Sequence, residues 1–205
     1  MAGMTEAVIF DLGGVIVPFD MKRGYAALAP LCNFPAVEIP RRLAATDLVV
    51  RFETGGIEPR EFVSALCTQL GLAVGYEEFC RLWSAIFLPD ILIPESVFAA
   101  IGARHRLLLL SNTNALHFEM IAANYPVVRH FHEFVLSHEV GALKPAPEMY
   151  REAIRRAGCP PDRCLFIDDL APNVEAARRE GIDAVQFTGW EALQPMLAAR
   201  GIAWR

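Results

Sequence analysis

Four stretches of the chain carry reactive side chains directly behind, or in the loop after, apolar strand-like runs. Asp11 follows Ala7-Val8-Ile9-Phe10, Ser111-Asn112 follows Leu107-Leu108-Leu109-Leu110, and Asp168-Asp169 follows Cys164-Leu165-Phe166-Ile167. Lys144 lies in the loop after the short run Glu133-Phe134-Val135-Leu136-Ser137. A carboxylate at the edge of a core must find a cation, a set of N–H donors or a chemical task. Asp11 alone is also consistent with a side chain that closes the turn after a strand. Three acids drawn to one place repel, and do not all stay ionised unless a cation joins them. All-oxygen ligation suits Mg²⁺, which takes one or two carboxylates plus substrate phosphate. The Ser111 hydroxyl, nearby backbone N–H groups and Lys144 suit the outer oxygens of a phosphoryl group.

These groups meet only if the strands are parallel neighbours, because ligands gather outside the carboxyl ends of such strands. The chain supports this. From Pro94 onward helices and strands alternate: helices over 95–103, 115–124, 148–157 and from Pro172 to Gly181, with strands over 105–110, 133–137, 164–167 and 183–187 before a C-terminal helix. That alternation predicts an α/β fold, a Rossmann-like parallel sheet with helices on both faces. Between the first and second strands the pattern is helical throughout: Met21 to Leu31 behind Asp20 as N-cap, Arg41 to Phe52, Arg60 to Leu70 after Pro59, and Glu77 to Phe87. This stretch is too long for a crossover. It predicts an inserted helical cap domain over 18–90, with the core domain formed by 1–17 and 91–205.

Composition narrows the function classes. The chain has 205 residues, 54% of them hydrophobic, enough for a substantial core in one domain with an insertion. A net charge of −5 provides no basic footprint for nucleic acid. No apolar run approaches the ~18 residues that span a bilayer, and the N-terminal segment lacks a signal-peptide pattern. The five cysteines form no C-x-x-C pair and read as free thiols in a reducing compartment, so a cytoplasmic protein is expected.

Phe10-Asp11-x-Gly-Gly-Val15, Leu110-Ser111-Asn112-Thr113, Lys144-Pro145 and Phe166-Ile167-Asp168-Asp169 with Asn173 resemble the four ordered motifs of the haloacid dehalogenase-like (HAD) hydrolase superfamily. The helical insertion resembles that superfamily's type 1 cap. Leu110-Ser111-Asn112-Thr113-Asn114 with Leu116-His117, Tyr76-Glu77-x-Phe79 and Trp83-x-x-x-Phe87 are most similar to bacterial sugar-phosphate phosphatases of the alpha-D-glucose-1-phosphate phosphatase type. The resemblance implies a Mg²⁺-dependent phosphatase of a small phosphorylated metabolite, with a sugar phosphate expected, and Asp11 as the nucleophile that forms an aspartyl-phosphate. It implies Mg²⁺ held by Asp11, the Gly13 carbonyl and Asp169, with Asp168 in support. Ser111, the Asn112 amide and Lys144 would hold the phosphoryl oxygens.

Gly13 stands where many members of the superfamily carry a second Asp as general acid and base. The absence favours substrates with acidic leaving groups, such as sugar 1-phosphates or aryl phosphates, over ordinary alkyl phosphates. It also admits two other readings: a metal-independent 2-haloacid dehalogenase and a non-catalytic binding protein on the same scaffold. Asp20 is read as an N-cap, with a replacement acid as the sharper alternative. Phe79, Trp83 and Phe87 at helical spacing read as a packing stripe, and His117 as packing or surface. His130 and His132, expected on one face of a strand, lack a third partner for zinc. Arg41, Arg42 and Arg51 read as solvated, with an anionic substrate tail as the alternative, and Asn173 as orienting Asp169 or Lys144.

Overall fold

A computed structural model describes residues 4–205. Five strands, β1 (Ala7–Phe10), β2 (Arg106–Ser111), β3 (Glu133–Leu136), β4 (Cys164–Asp168) and β5 (Asp183–Gln186), form one sheet in the order β3-β2-β1-β4-β5. Every pairing is parallel. The fold is the expected Rossmann-like α/β arrangement. Eleven α-helices complete it among the described residues. Five lie between β1 and Pro94: α1 (Met21–Leu28), α2 (Ile39–Leu43), α3 (Leu48–Glu53), α4 (Pro59–Leu70) and α5 (Tyr76–Trp83). The others are α6 (Glu95–Gly102), α7 (Ala115–Asn124), α8 (Ser137–Val140), α9 (Pro147–Ala157), α10 (Ala171–Arg179) and α11 (Trp190–Ala198).

The strands are apolar throughout because both faces are covered. Side chains alternate across the sheet: Val8, Phe10, Leu107, Leu109, Leu165 and Ile167 pack on one face with α6, α7 and α11. Ala7, Ile9, Leu108, Leu110 and Phe166 pack on the other with α9 and α10. Phe10 stands level with Leu109 and Ile167, so the next residues, Asp11, Leu110 and Asp168, arrive together at the carboxyl rim. The Asp11 N–H donates to the Ile167 carbonyl at 2.9 Å, extending the ladder into the rim.

The helices α1–α5 build their own apolar cluster. Phe52 stacks on Phe62 with centroids 4.0 Å apart, Phe79 stacks on Trp83 at 5.8 Å, and Phe62 meets Trp83 edge-on. The aromatic stripe is therefore packing. Phe87 leaves it, because a 3₁₀ turn over Ser84–Ile86 ends the helix early. Asp20 caps α1, its carboxylate accepting the Lys22 N–H at 2.9 Å. The single helix expected over 41–52 is two, α2 and α3. The Gln69 side-chain amide donates to the Arg42 carbonyl and terminates α2, while the Thr46 hydroxyl bonds Gln69 at 3.1 Å. The segments that enter and leave this helical group pair with each other: Asp20 N–H to the Ile86 carbonyl at 2.8 Å, and Leu88 N–H to the Pro18 carbonyl at 3.0 Å.

His130 and His132 do not lie on a strand. His130 ends a 3₁₀ turn and bonds Glu95 at 2.9 Å, and His132 accepts the Leu107 N–H at 2.9 Å. His117, on α7, is buried where the helical group meets the sheet. Its ring stacks on Trp83 at 5.5 Å and bonds the Trp83 carbonyl at 3.3 Å. Burial holds its pKa down at about 4.

An imidazole with a depressed folded-state pKa stays neutral in the native state while the unfolded chain takes up its proton near pH 6.5. The stability that His117 contributes is therefore present above pH 6.5 and lost as the pH falls toward 4, by roughly 3 kcal/mol. Urea denaturation at pH 7 and pH 4.5 of the native protein and of His117→Phe checks this: the native protein should lose about 2 kcal/mol more than the variant.

Candidate active site

The rim positions converge. Lys144 is brought from the β3–α9 connection and is buried. Its ammonium lies 2.7 Å from Asp11 Oδ1 and 2.7 Å from Asp168 Oδ2, and donates to the Leu110 carbonyl at 3.0 Å. All three of its N–H bonds thus have acceptors. Burial acts against the charge of Lys144, but the carboxylates of Asp11 and Asp168 overcome it and raise its pKa above the ordinary value. Burial pushes the Asp11 carboxyl up, to about 7, against the pull of the Lys144 ammonium.

The Asp168 carboxylate is saturated by protein donors. Oδ1 accepts from Leu170 N–H at 2.9 Å and Asn173 Nδ2 at 3.0 Å, and Oδ2 from Lys144. Asn173 therefore orients Asp168, not Asp169 or Lys144 as expected. Asp11 takes its bonds from Leu12 N–H and Lys144 on Oδ1. Carboxylate oxygens of Asp11, Asp168 and Asp169 lie within 4.8 Å of one another, the one such acid group among the described residues. Burial, then the neighbouring Asp168 charge, raises the Asp169 pKa. Gly14 makes room for that carboxylate: its φ is +76°, and a Cβ there would stand 2.5 Å from Asp169 Oδ2.

These features fit a divalent cation. One ammonium faces three acids, and the pKa values of Asp11 and Asp169 are raised, first by burial. Asp11 and Asp169 are the carboxylates with ligand capacity left, whereas Asp168 anchors Lys144.

Ser111 is buried, and its hydroxyl has a single long contact, 3.4 Å to the Asn112 carbonyl. The Asn112 side chain grips the Lys144 backbone, donating to its carbonyl at 3.0 Å and accepting its N–H at 2.7 Å. This reciprocal pair fixes the lysine loop to the end of β2. Ser137, not singled out in the sequence, locks the same turn: its hydroxyl accepts the Thr113 N–H at 2.9 Å and donates to the Thr113 carbonyl at 2.8 Å. Its position just past β3, one residue beyond the level of Ser111 at the end of β2, is the signal that would have marked it. Asn114 caps α7 through the His117 N–H at 3.1 Å.

A cavity of about 550 Å³ adjoins the rim, bounded by Leu12, Gly13, Ser111 and Asn112 on the sheet side and by α1–α3 and the α5 end on the other. Phe19 lies over Gly13, with its Cε1 3.0 Å from where a Cβ would stand. The place of the absent acid is thus covered by an aromatic ring. Asp20 is not at the cavity wall; Glu53, which the sequence reading passed over, is. The arginines of the helical group are elsewhere. Arg41 and Arg42 pair with Glu38, Arg42 also lies over the Phe34 ring at 3.8 Å, and Arg51 bonds the Gly56 carbonyl at 3.4 Å.

The model of the family described as haloacid dehalogenase-like hydrolase matches residues 5–181. A D-ribitol-5-phosphate phosphatase of Bacteroides thetaiotaomicron is 26% identical over 89% of this chain and 92% of its own length. A protein of Mycobacterium tuberculosis named as a phosphatase is 30% identical over 87% of this chain and 85% of its own. Among solved structures, a HAD family enzyme of Bacteroides thetaiotaomicron in complex with magnesium and inorganic phosphate superposes with a TM-score of 0.81 at 24% identity, covering 92% of this chain and 98% of that one. On the match over residues 5–181, the chain belongs to the haloacid dehalogenase-like hydrolase family.

Proposed function

We propose that the protein is a Mg²⁺-dependent phosphatase that hydrolyses a small phosphorylated metabolite through an aspartyl-phosphate on Asp11. The observation that carries this reading is the Lys144 ammonium held between Asp11 and Asp168, with Asp169 beside them at the same rim. Asp11 and Asp169 with the Gly13 carbonyl hold Mg²⁺, whose charge offsets that of the incoming phosphoryl oxygens. Lys144 favours the ionised form of Asp11 against the effect of burial, orients it, and lends its charge at short range. The Ser111 hydroxyl and the Asn112 backbone amide take phosphoryl oxygens.

The free oxygen of Asp11 attacks phosphorus as the bond to the alcohol oxygen breaks, and the departing alkoxide takes a proton from water. Water then attacks the phosphorus of the aspartyl-phosphate, which frees Asp11 and inorganic phosphate. Residues 18–90 serve as a type 1 cap that closes the leaving-group side. The resemblance to the glucose-1-phosphate phosphatase branch, and the relative named for D-ribitol 5-phosphate, support a small phosphorylated metabolite as substrate and make a sugar phosphate the first candidate to test. The dehalogenase reading needs no metal, and the Asp169 carboxylate at the rim would oppose a departing halide. That side chain supports the phosphatase.

Three outcomes test the reading. Asp11→Asn should lower kcat about 10⁴-fold or more with p-nitrophenyl phosphate and leave no hydroxylamine-labile phosphoprotein. EDTA should abolish phosphate release and Mg²⁺ restore it; EDTA-resistant halide release from 2-chloropropionate would instead establish the dehalogenase. Gly14→Ala, which sets a methyl group against Asp169, should raise the Mg²⁺ concentration for half-maximal activity about tenfold or more.

A further inference from the structure

The leaving-group cavity has a lining that does not match a sugar. Beyond its phosphate end, the wall is made chiefly by Phe19, Met21, Leu43, Val49, Val50 and Phe87. Phe19, Met21 and Val50 are also among the exposed large apolar side chains of the molecule, so the apolar surface continues to the mouth. Of the polar groups at the wall, Thr46 is bonded to Gln69 and the His117 ring to Asn114 and the Trp83 carbonyl, and the Trp83 indole N–H is buried with no partner among the described residues. That leaves the Tyr25 and Thr113 hydroxyls and the Glu53 carboxyl to meet a substrate hydroxyl. The several hydroxyls of a sugar or polyol against this chiefly apolar wall would lose more water than these few groups replace.

No lysine or arginine lines the cavity among the described residues, and its one charged side chain is Glu53. Glu53 ends α3, and the turn behind it is pressed on the sheet domain: a Cβ at Gly55, whose φ is +68°, would stand 2.1 Å from the His138 carbonyl. The carboxyl is thereby fixed at the wall, half-buried, and burial raises its pKa. A second anionic group on a substrate would meet this acid with no cation to offset it.

We propose that the cavity receives the alcohol portion of a phosphomonoester that is uncharged and largely alkyl, and that Glu53 excludes substrates carrying a second anionic group. This rests on the phosphatase reading above. The volume of about 550 Å³ lies in the range of ~300–1,000 Å³ usual for small-molecule sites.

The test is a series of n-alkyl phosphates from propyl to octyl, with glucose 6-phosphate and 3-phosphoglycerate, assayed with the native protein and Mg²⁺. All of these leave as primary alkoxides, so chain length isolates apolar contact from leaving-group acidity. Burying each methylene should raise kcat/KM about fourfold until the cavity is filled. Glucose 6-phosphate should lie about a hundredfold or more below n-octyl phosphate. A flat series, or glucose 6-phosphate equal to or above n-octyl phosphate, overturns the alkyl assignment while leaving the phosphatase intact. In Glu53→Gln, the kcat/KM for 3-phosphoglycerate relative to n-octyl phosphate should rise about tenfold. An unchanged ratio overturns the role given to Glu53. Absence of phosphate release from every ester, p-nitrophenyl phosphate included, overturns the phosphatase reading and this inference with it.

Discussion

A buried ammonium exists only where acceptors replace the water it has lost, and much of the rim follows from that requirement at Lys144. Asp11, Asp168 and the Leu110 carbonyl are its three acceptors, contributed by or next to β1, β4 and β2. The lysine thus ties the three central strands of the sheet together at one end. Each acceptor in turn needs its own support. Asn173 and the Leu170 N–H hold Asp168, the Leu12 N–H holds Asp11, and Asn112 holds the lysine backbone. The charge imbalance that remains, three acids against one base, is the part that the protein does not resolve by itself, and it is what a divalent cation would complete.

The same economy explains why Asp168 and Asp169, adjacent in sequence, differ so much. Asp168 ends β4 with its side chain turned to the buried lysine, and its oxygens are filled by protein donors. Asp169 is one residue beyond the strand, only half-buried, and reaches over a glycine whose conformation and lack of a side chain admit it. Strand alternation thus gives one acid of the pair a structural task and leaves the other at the open edge of the rim.

The sheet was legible because β1 through β5 are short apolar runs that end in turn chemistry, and because polar residues behind parallel strands share one rim. Asp11, Ser111, Lys144 and Asp168-Asp169 were found on that basis. The features that were missed depend on tertiary contacts that leave no local periodicity. The break between α2 and α3 is enforced by Gln69, 27 residues downstream of Arg42. The commitment of Asn173 to Asp168, the histidines' removal from any strand, and the place of Glu53 at the cavity wall are of the same kind. Ser137 is different: the rule that identified Ser111 applied equally to it, and was not carried to β3.

The paired segments around Asp20 and Ile86 bring the entry and exit of the helical group side by side. A unit whose two ends meet can be lengthened, shortened or exchanged without altering the path of the strands, which is the condition under which inserted domains are tolerated. Rim and enclosure are therefore separable in evolution. The former can hold its chemistry constant over long divergence, while the latter is remade around whichever alcohol a new niche supplies.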